Sequence, residues 1–310
     1  MQQRFLQIAS VALAVSLFSL AAWRLTQEFQ QYPPQQIWQS LLTIPTESAL
    51  VAAVLVVLNY GVLTSYDTLA VRFVKRPLRY SQTALVAITS YGLSNSIGFT
   101  LLSSSAIRYR FYLAWGLSPL TIARIIIFCN LSFWVGVLTL CGVVFLTASL
   151  SLPAALNLPF QSLQVLGSVC LAIILGYLGW NALSQKALQI GRWRLPHVPM
   201  KLALVQVAVT SLDWVTEAAI LYILLPPLPL TLHGFVGVYV LGQLAGIFSH
   251  VPGGLGVFET VLLLILSPPL PADALLASLL AFRAIYYGLP LLAACLLLGS
   301  YELHRDMERG

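Results

Sequence analysis

Charge is what this sequence has least of. Lys, Arg, Asp and Glu make up 8% of its 310 residues, whereas 59% are hydrophobic. A soluble domain averages about 25% charged residues, and no water-facing surface can be assembled from so few. The net charge of +6 is spread through short loops, which excludes a basic nucleic-acid-binding face. Cysteine is scarce too. Cys129, Cys141, Cys170 and Cys295 lie singly in apolar runs, without the paired spacing or His neighbours of disulfide and metal sites. They read as small buried hydrophobes. The catalytic motifs GxSxG, HExxH, Walker A and CxxC are all missing. The SSS run at 103–105 lacks a local base, and no polar stretch is long enough for a catalytic domain. The expectation is a protein with no catalytic residue, metal or cofactor, and not an enzyme.

What the sequence has in quantity is long apolar runs. They fall near 5–23, 48–70, 119–147, 162–184, 201–225 and 274–299, and each meets the length of about 20 residues needed to cross a bilayer core. The first is followed at once by Arg24 with no convincing cleavage site, so it reads as a retained span and not a signal peptide. Two further stretches, 82–107 and 234–267, are rich in Gly and Ser and do not read as single spans. The expected fold is an all-α polytopic integral membrane protein with six full spans and two broken segments, an eight-segment pattern.

Lys and Arg cluster at 71–81 and 185–200 and are absent from 149–160 and 226–233. The positive-inside rule then puts the N-terminus, 71–81, 185–200 and the C-terminus in the cytoplasm of a cell-membrane protein, with 24–47, 149–160 and 226–233 outside. On that count each broken segment enters and leaves on one side. They become two re-entrant hairpins of opposite orientation, although a pair of short spans in each place preserves the same parity. The halves 48–147 and 201–299 look repeat-like. Asp67 is followed by a broken segment and Arg108, and Glu217 by a broken segment and Glu259, each about forty residues on; an embedded arginine, Arg124 or Arg283, comes next. Inverted repeats with interrupted helices mark transporters, while Gly/Ser-rich stretches also serve as close-packing surfaces.

The few charges inside apolar sequence are the candidate site. Each costs about 2.5–3.5 kcal/mol on insertion and so tends to face a cavity or bundle interior. They are Asp67, Arg108, Arg110, Arg124, Asp213, Glu217, Glu259 and Arg283. Asp67 and Arg110 read equally well as interfacial residues that snorkel. Asp213 and Glu217, at i and i+4, share a helix face and repel unless one is protonated or an arginine lies between them. Arg108, Arg110 and Arg283 are the available partners. Residues 248–259, FSHVPGGLGVFE, add a helix break. Ser249, Gly253 and Gly254 join the candidate site there, because a half-helix end offers backbone N–H groups to an anion. Glu259 can attract an arginine. His250 reads as a hydrogen-bonded structural group, and Trp134, Trp180 and Trp214 as packing or interface anchors.

The runs SYGLSNSIGFTLLSSSAIRYRFYLAWGLS (90–118) and FSHVPGGLGVFE (248–259) resemble the membrane region of the lysylphosphatidylglycerol synthase/flippase (MprF) family and of the related YbhN-like membrane proteins. LNYGVLTSYDTLAVR (58–72), DWVTEAAILYILLP (213–226) and FRAIYYGLP (282–290) fit the same pattern in the same order. The resemblance runs from about residue 45 to the end. It implies a flippase-type module with two re-entrant elements around a lipid-sized cavity, which Asp67, Arg108, Glu217 and Glu259 line or gate. Full-length family members add a soluble aminoacyl-transferase domain, whereas this sequence ends at Gly310 soon after its last span. That activity, and a lysyl-lipid substrate, are therefore not carried over.

The expected function is a lipid translocator moving an anionic or zwitterionic phospholipid between leaflets. A non-catalytic scaffold that partners a separately encoded lipid-modifying enzyme is the alternative, and an intramembrane lipid transferase stands third. The partners expected are membrane lipids and no nucleic acid, with homo-oligomerisation left open.

Overall fold

Proline marks where the long helices begin. Pro45, Pro199 and Pro271 each immediately precede one. Pro119 opens a fourth behind Ser118, whose Oγ accepts the Thr121 N–H at 3.3 Å, a serine cap with proline at the first helical position. The computed structural model describes residues 39, 42–76, 78–97, 100–148, 163–184, 188–190, 193–195, 197–248, 256–266 and 270–307.

In chain order the elements are α1 (Thr46–Phe73), α2 (Tyr80–Ile97), α3 (Thr100–Ala114), α4 (Pro119–Thr147) and α5 (Leu163–Leu183). A small antiparallel pair follows, β1 (Leu188–Ile190) and β2 (Trp193–Leu195), with Gln189 opposite Arg194. Then come α6 (Met200–Leu224), α7 (Leu232–Phe248), α8 (Val257–Leu266) and α9 (Ala272–Phe282). A π-helical turn over Arg283–Gly288 joins α9 to α10 (Leu289–Met307). Apart from the strand pair, which lies in the basic stretch read at 185–200, the described residues are helical or in short connections.

Five described helical stretches are long and apolar enough to cross a membrane: α1, α4, α5, α6 and the continuous run Ala274–Leu303. They occupy five of the six apolar runs read from the sequence, and the run at 5–23 lies outside the described residues. The broken segments are helix pairs. Tyr80–Ile97 and Thr100–Ala114 hold 18 and 15 residues, and Leu232–Phe248 and Val257–Leu266 hold 17 and 10.

α1 and α6 pack along each other at the centre, with α4 against both. α2 lies on α1 and α10, α3 on α2 and α4, and α7 on α4, α6 and α8. Small residues permit the closest contacts, as in helix packing within lipid: a Cβ on Gly136 of α4 would stand 2.9 Å from the Thr210 Cβ of α6. Aromatic side chains fill the core, including a Phe73–Phe128 stack at 4.9 Å and a Phe282–Tyr286 stack at 5.2 Å. α5 is peripheral. Only Gly167, Cys170, Ile174 and Asn181 of it are buried, while Val165, Val169, Ile173 and Leu175 face outward, as a lipid-facing helix does. A polar chain ties α5 in: Tyr177 Oη donates to Gln206 Oε1 at 2.7 Å, and Gln206 Nε2 donates to Ser132 Oγ at 2.7 Å.

Candidate functional site

On α1, Asn59, Tyr66 and Asp67 recur at helical spacing and fall on the inward face; all three are buried. α6 supplies Asp213 and Glu217, one turn apart. The packing of α6 on α1 sets these polar groups against one another inside an otherwise apolar bundle.

Asp67 is fully buried and holds Arg108 of α3 through two parallel bonds, Nε to Oδ1 at 2.9 Å and Nη2 to Oδ2 at 2.8 Å. Tyr112, one turn after Arg108, donates to the same Oδ1 at 2.8 Å, and the guanidinium sits 4.8 Å from the Tyr91 ring centroid. Bidentate geometry with the remaining lone pairs satisfied is what lets an ion pair survive burial. The snorkelling reading of Asp67 is thereby corrected: its carboxylate points inward and is closed off by Arg108.

A second carboxylate–arginine pair differs in that both guanidinium bonds to the carboxylate reach one oxygen. Arg283, at the start of the π-helical turn, donates to Glu259 Oε1 through Nε at 2.8 Å and through Nη2. Tyr287, again one turn after the arginine, lies with its ring centroid 5.8 Å from the guanidinium. Glu259 Oε2 accepts the Gly256 N–H at 2.8 Å. The carboxylate thus caps the first turn of α8, where the helix dipole favours negative charge. Gly256 has φ +77°, a left-handed conformation that glycine adopts without strain.

Asp213 is satisfied without a cation. Asn59 Nδ2 donates to its Oδ1 at 2.8 Å and Tyr66 Oη to its Oδ2 at 2.8 Å, while Tyr286 Oη donates to Asn59 Oδ1 at 3.2 Å. Glu217 is half-buried and flanked by the Tyr239 and Tyr286 hydroxyls. Among the described residues no Lys, Arg or His forms a salt bridge with either carboxylate. This corrects the expectation that Arg108, Arg110 or Arg283 neutralises them. Arg108 belongs to Asp67, Arg283 to Glu259, and Arg110 to Glu302 of α10 in a partly exposed pair. Arg124 is exposed on α4. Ser249, Gly253 and Gly254, with the PGG break, lie outside the described residues.

The sequence reading overlooked the neutral polar partners: Asn59, Tyr66, Tyr91, Tyr112, Tyr239, Tyr286 and Tyr287. Its available signal was the Arg-x-x-x-Tyr spacing, which occurs at both Arg108 and Arg283 and puts a phenol on the same helix face as the guanidinium. Cys129, Cys141 and Cys170 are buried and Cys295 half-buried, all as free thiols. Among the described residues no three His, Cys, Asp or Glu side chains group as metal ligands do.

The chain is 44% identical over 310 residues to the uncharacterized protein slr0712 of Synechocystis, covering 99% of this chain and 96% of that one. It is 30% identical over 262 residues to the inner membrane protein YbhN of Escherichia coli, covering 84% of this chain and 82% of the relative. The chain belongs to the YbhN-like family of membrane proteins. This YbhN-like chain is also 35% identical over 104 residues to the phosphatidylglycerol lysyltransferase of Staphylococcus epidermidis, a match of 33% of this chain and only 12% of the enzyme's length. No family model matches.

Proposed function

We propose that this YbhN-like protein is a lipid translocator of the cell membrane. In this reading a phospholipid crosses between leaflets along a path lined and gated by the charged groups of the bundle. The observation that carries the reading is the pair of ion-paired latches. Asp67–Arg108 fastens the broken segment α2–α3 to the long helix α1, and Glu259–Arg283 fastens the broken segment α7–α8 to the α9–α10 run. Each latch joins an interrupted element to a continuous one, and interrupted helices at a repeat interface are what inverted-repeat transporters build their substrate sites from.

Helix length supports the re-entrant assignment. At 1.5 Å per residue, helices of 10 to 18 residues reach about 15–27 Å, short of a hydrocarbon core of about 30 Å. The segments 80–114 and 232–266 then dip in from opposite sides, the halves 48–147 and 201–299 form the repeat, and both termini are cytoplasmic. A phospholipid cargo draws support from the partial match to an enzyme named for phosphatidylglycerol. The candidate path includes Asp67, Arg108, Arg110, Asp213, Glu217, Ser249, Gly253, Gly254, Glu259 and Arg283.

The test is leaflet exchange of fluorescent phosphatidylglycerol in proteoliposomes. Arg108→Ala and Glu217→Gln are each expected to abolish exchange. The double variant D67N/R108Q removes both charges of one latch, and it is expected to fold and still fail to exchange lipid. Wild-type exchange in the folded double variant and in Glu217→Gln would overturn the assignment.

A further inference from the structure

Two carboxylates one turn apart on α6 lie inside a bundle in which Arg108 and Arg283 are held by Asp67 and Glu259. Asp213 has donors on both oxygens; Glu217 has phenols beside it and, among the described residues, no salt-bridge partner. The wall opposite is α1, where Tyr60 is buried and its hydroxyl makes no hydrogen bond, the Asn95 side chain standing nearby. That hydroxyl lies within electrostatic reach of both Glu217 and Asp213, and its ring stands 6.4 Å from Tyr286, which bonds Asn59 and through it Asp213. An unpartnered buried phenol beside an uncompensated dicarboxylate leaves oxygen ligands without a positive charge to satisfy them.

We propose that Glu217, Asp213 and the Tyr60 hydroxyl form a site for one small monovalent cation, Na⁺ or a proton, whose occupancy neutralises the second carboxylate. Both ligands share the chemistry of a hard positive charge on oxygen. The cation enters from and returns to bulk water, and no bond other than its own changes. The groups that face Glu217 are Asp213 on its own helix, Tyr60 and Tyr66 on α1, Tyr239 on α7, and Tyr286 and Tyr287 on the π-helical turn. Asp213 alone among them is a carboxyl group, and among the described residues no titratable group of α4, α5 or α9 bears on it. For the translocator proposed above this is the coupling ion, so the inference rests on that reading for what the cation drives, though not for its binding.

The experiment uses the full chain in nanodiscs of phosphatidylethanolamine and phosphatidylglycerol. Equilibrium binding of ²²Na⁺ at pH 8.5 is measured beside the infrared carboxyl band between pH 5 and 9. A Na⁺ site appears as saturable binding of one ion per chain that acid displaces. A proton site appears as a single carboxyl band that titrates without Na⁺ binding. Either signal is expected to vanish in Glu217→Gln and to persist in Glu47→Gln, which alters an exposed carboxylate; in Tyr60→Phe the Na⁺ affinity is expected to fall at least tenfold or, for a proton site, the midpoint of the carboxyl band to shift. Tyr60→Phe keeps the ring and guards against a folding artefact. Neither signal in the wild type, or a signal kept in Glu217→Gln, overturns the site. Intact cation binding in a wild-type protein that exchanges no lipid overturns the translocator reading and leaves the site standing. Exchange that ignores both Na⁺ and pH gradients overturns the coupling.

Discussion

Removing the Tyr112 hydroxyl takes one donor from Asp67 Oδ1 and leaves both guanidinium bonds in place. Tyr112→Phe is therefore expected to cost about 1.5–3 kcal/mol, as for a hydrogen bond to a charged group. Arg108→Ala strands a buried carboxylate and costs about 3–5 kcal/mol. Thermal unfolding in detergent compares the two, and an equal loss would mean that the guanidinium holds the carboxylate no more strongly than the phenol does. At this scale the sequence was half legible. Asp67, Arg108, Glu259 and Arg283 stand out because charge is expensive in apolar runs. Which carboxylate meets which arginine depends on how α3 and α8 fold back, and that is absent from local spacing. Asn59 and Tyr66 were hidden because one neutral polar group in a span resembles ordinary packing until Asp213 is seen against it.

Elements were more legible than partners, since a run of about 20 apolar residues has few other outcomes. That neither Gly/Ser-rich stretch is one clean span was visible as well, and each holds two described helices. The π-helical turn at Arg283–Gly288 was not, because one inserted residue leaves no periodic trace in a uniformly apolar run. Such turns often accompany functional residues, and here it carries Arg283, Tyr286 and Tyr287. Glycine gives the test at this scale. A Cβ on Gly92 of α2 would stand 2.7 Å from the Pro290 carbonyl oxygen, whereas Gly61 of α1 has open space around it. Gly92→Leu is expected to destabilise by about 1–3 kcal/mol through overpacking, and Gly61→Leu to leave the melting temperature nearly unchanged. Equal effects would show that α2 and α10 separate readily.

For the whole molecule, loop charge supplies the orientation to be tested. Cysteine introduced at exposed Arg79, between α1 and α2, is expected to react with an impermeant maleimide only from the cytoplasmic face. Cysteine at exposed Pro229, between α6 and α7, is expected to react only from the opposite face. Sealed vesicles of both orientations read the result against a background in which three of the four native thiols are buried. Labelling of both positions from one side would refute the topology.

The Asp67–Arg108 latch has a consequence for voltage. The membrane potential acts on a displaced charge with about 2.3 kcal/mol per elementary charge per 100 mV. A bidentate pair that shifts as a unit, α1 travelling with α2 and α3, carries equal and opposite charges and displaces none on balance, so the field would neither drive nor hinder such a movement. A latch that opens instead sends a carboxylate and a guanidinium in different directions through the field. Comparing rates in polarised and depolarised vesicles therefore separates a segment that rocks with its latch shut from one whose latch parts.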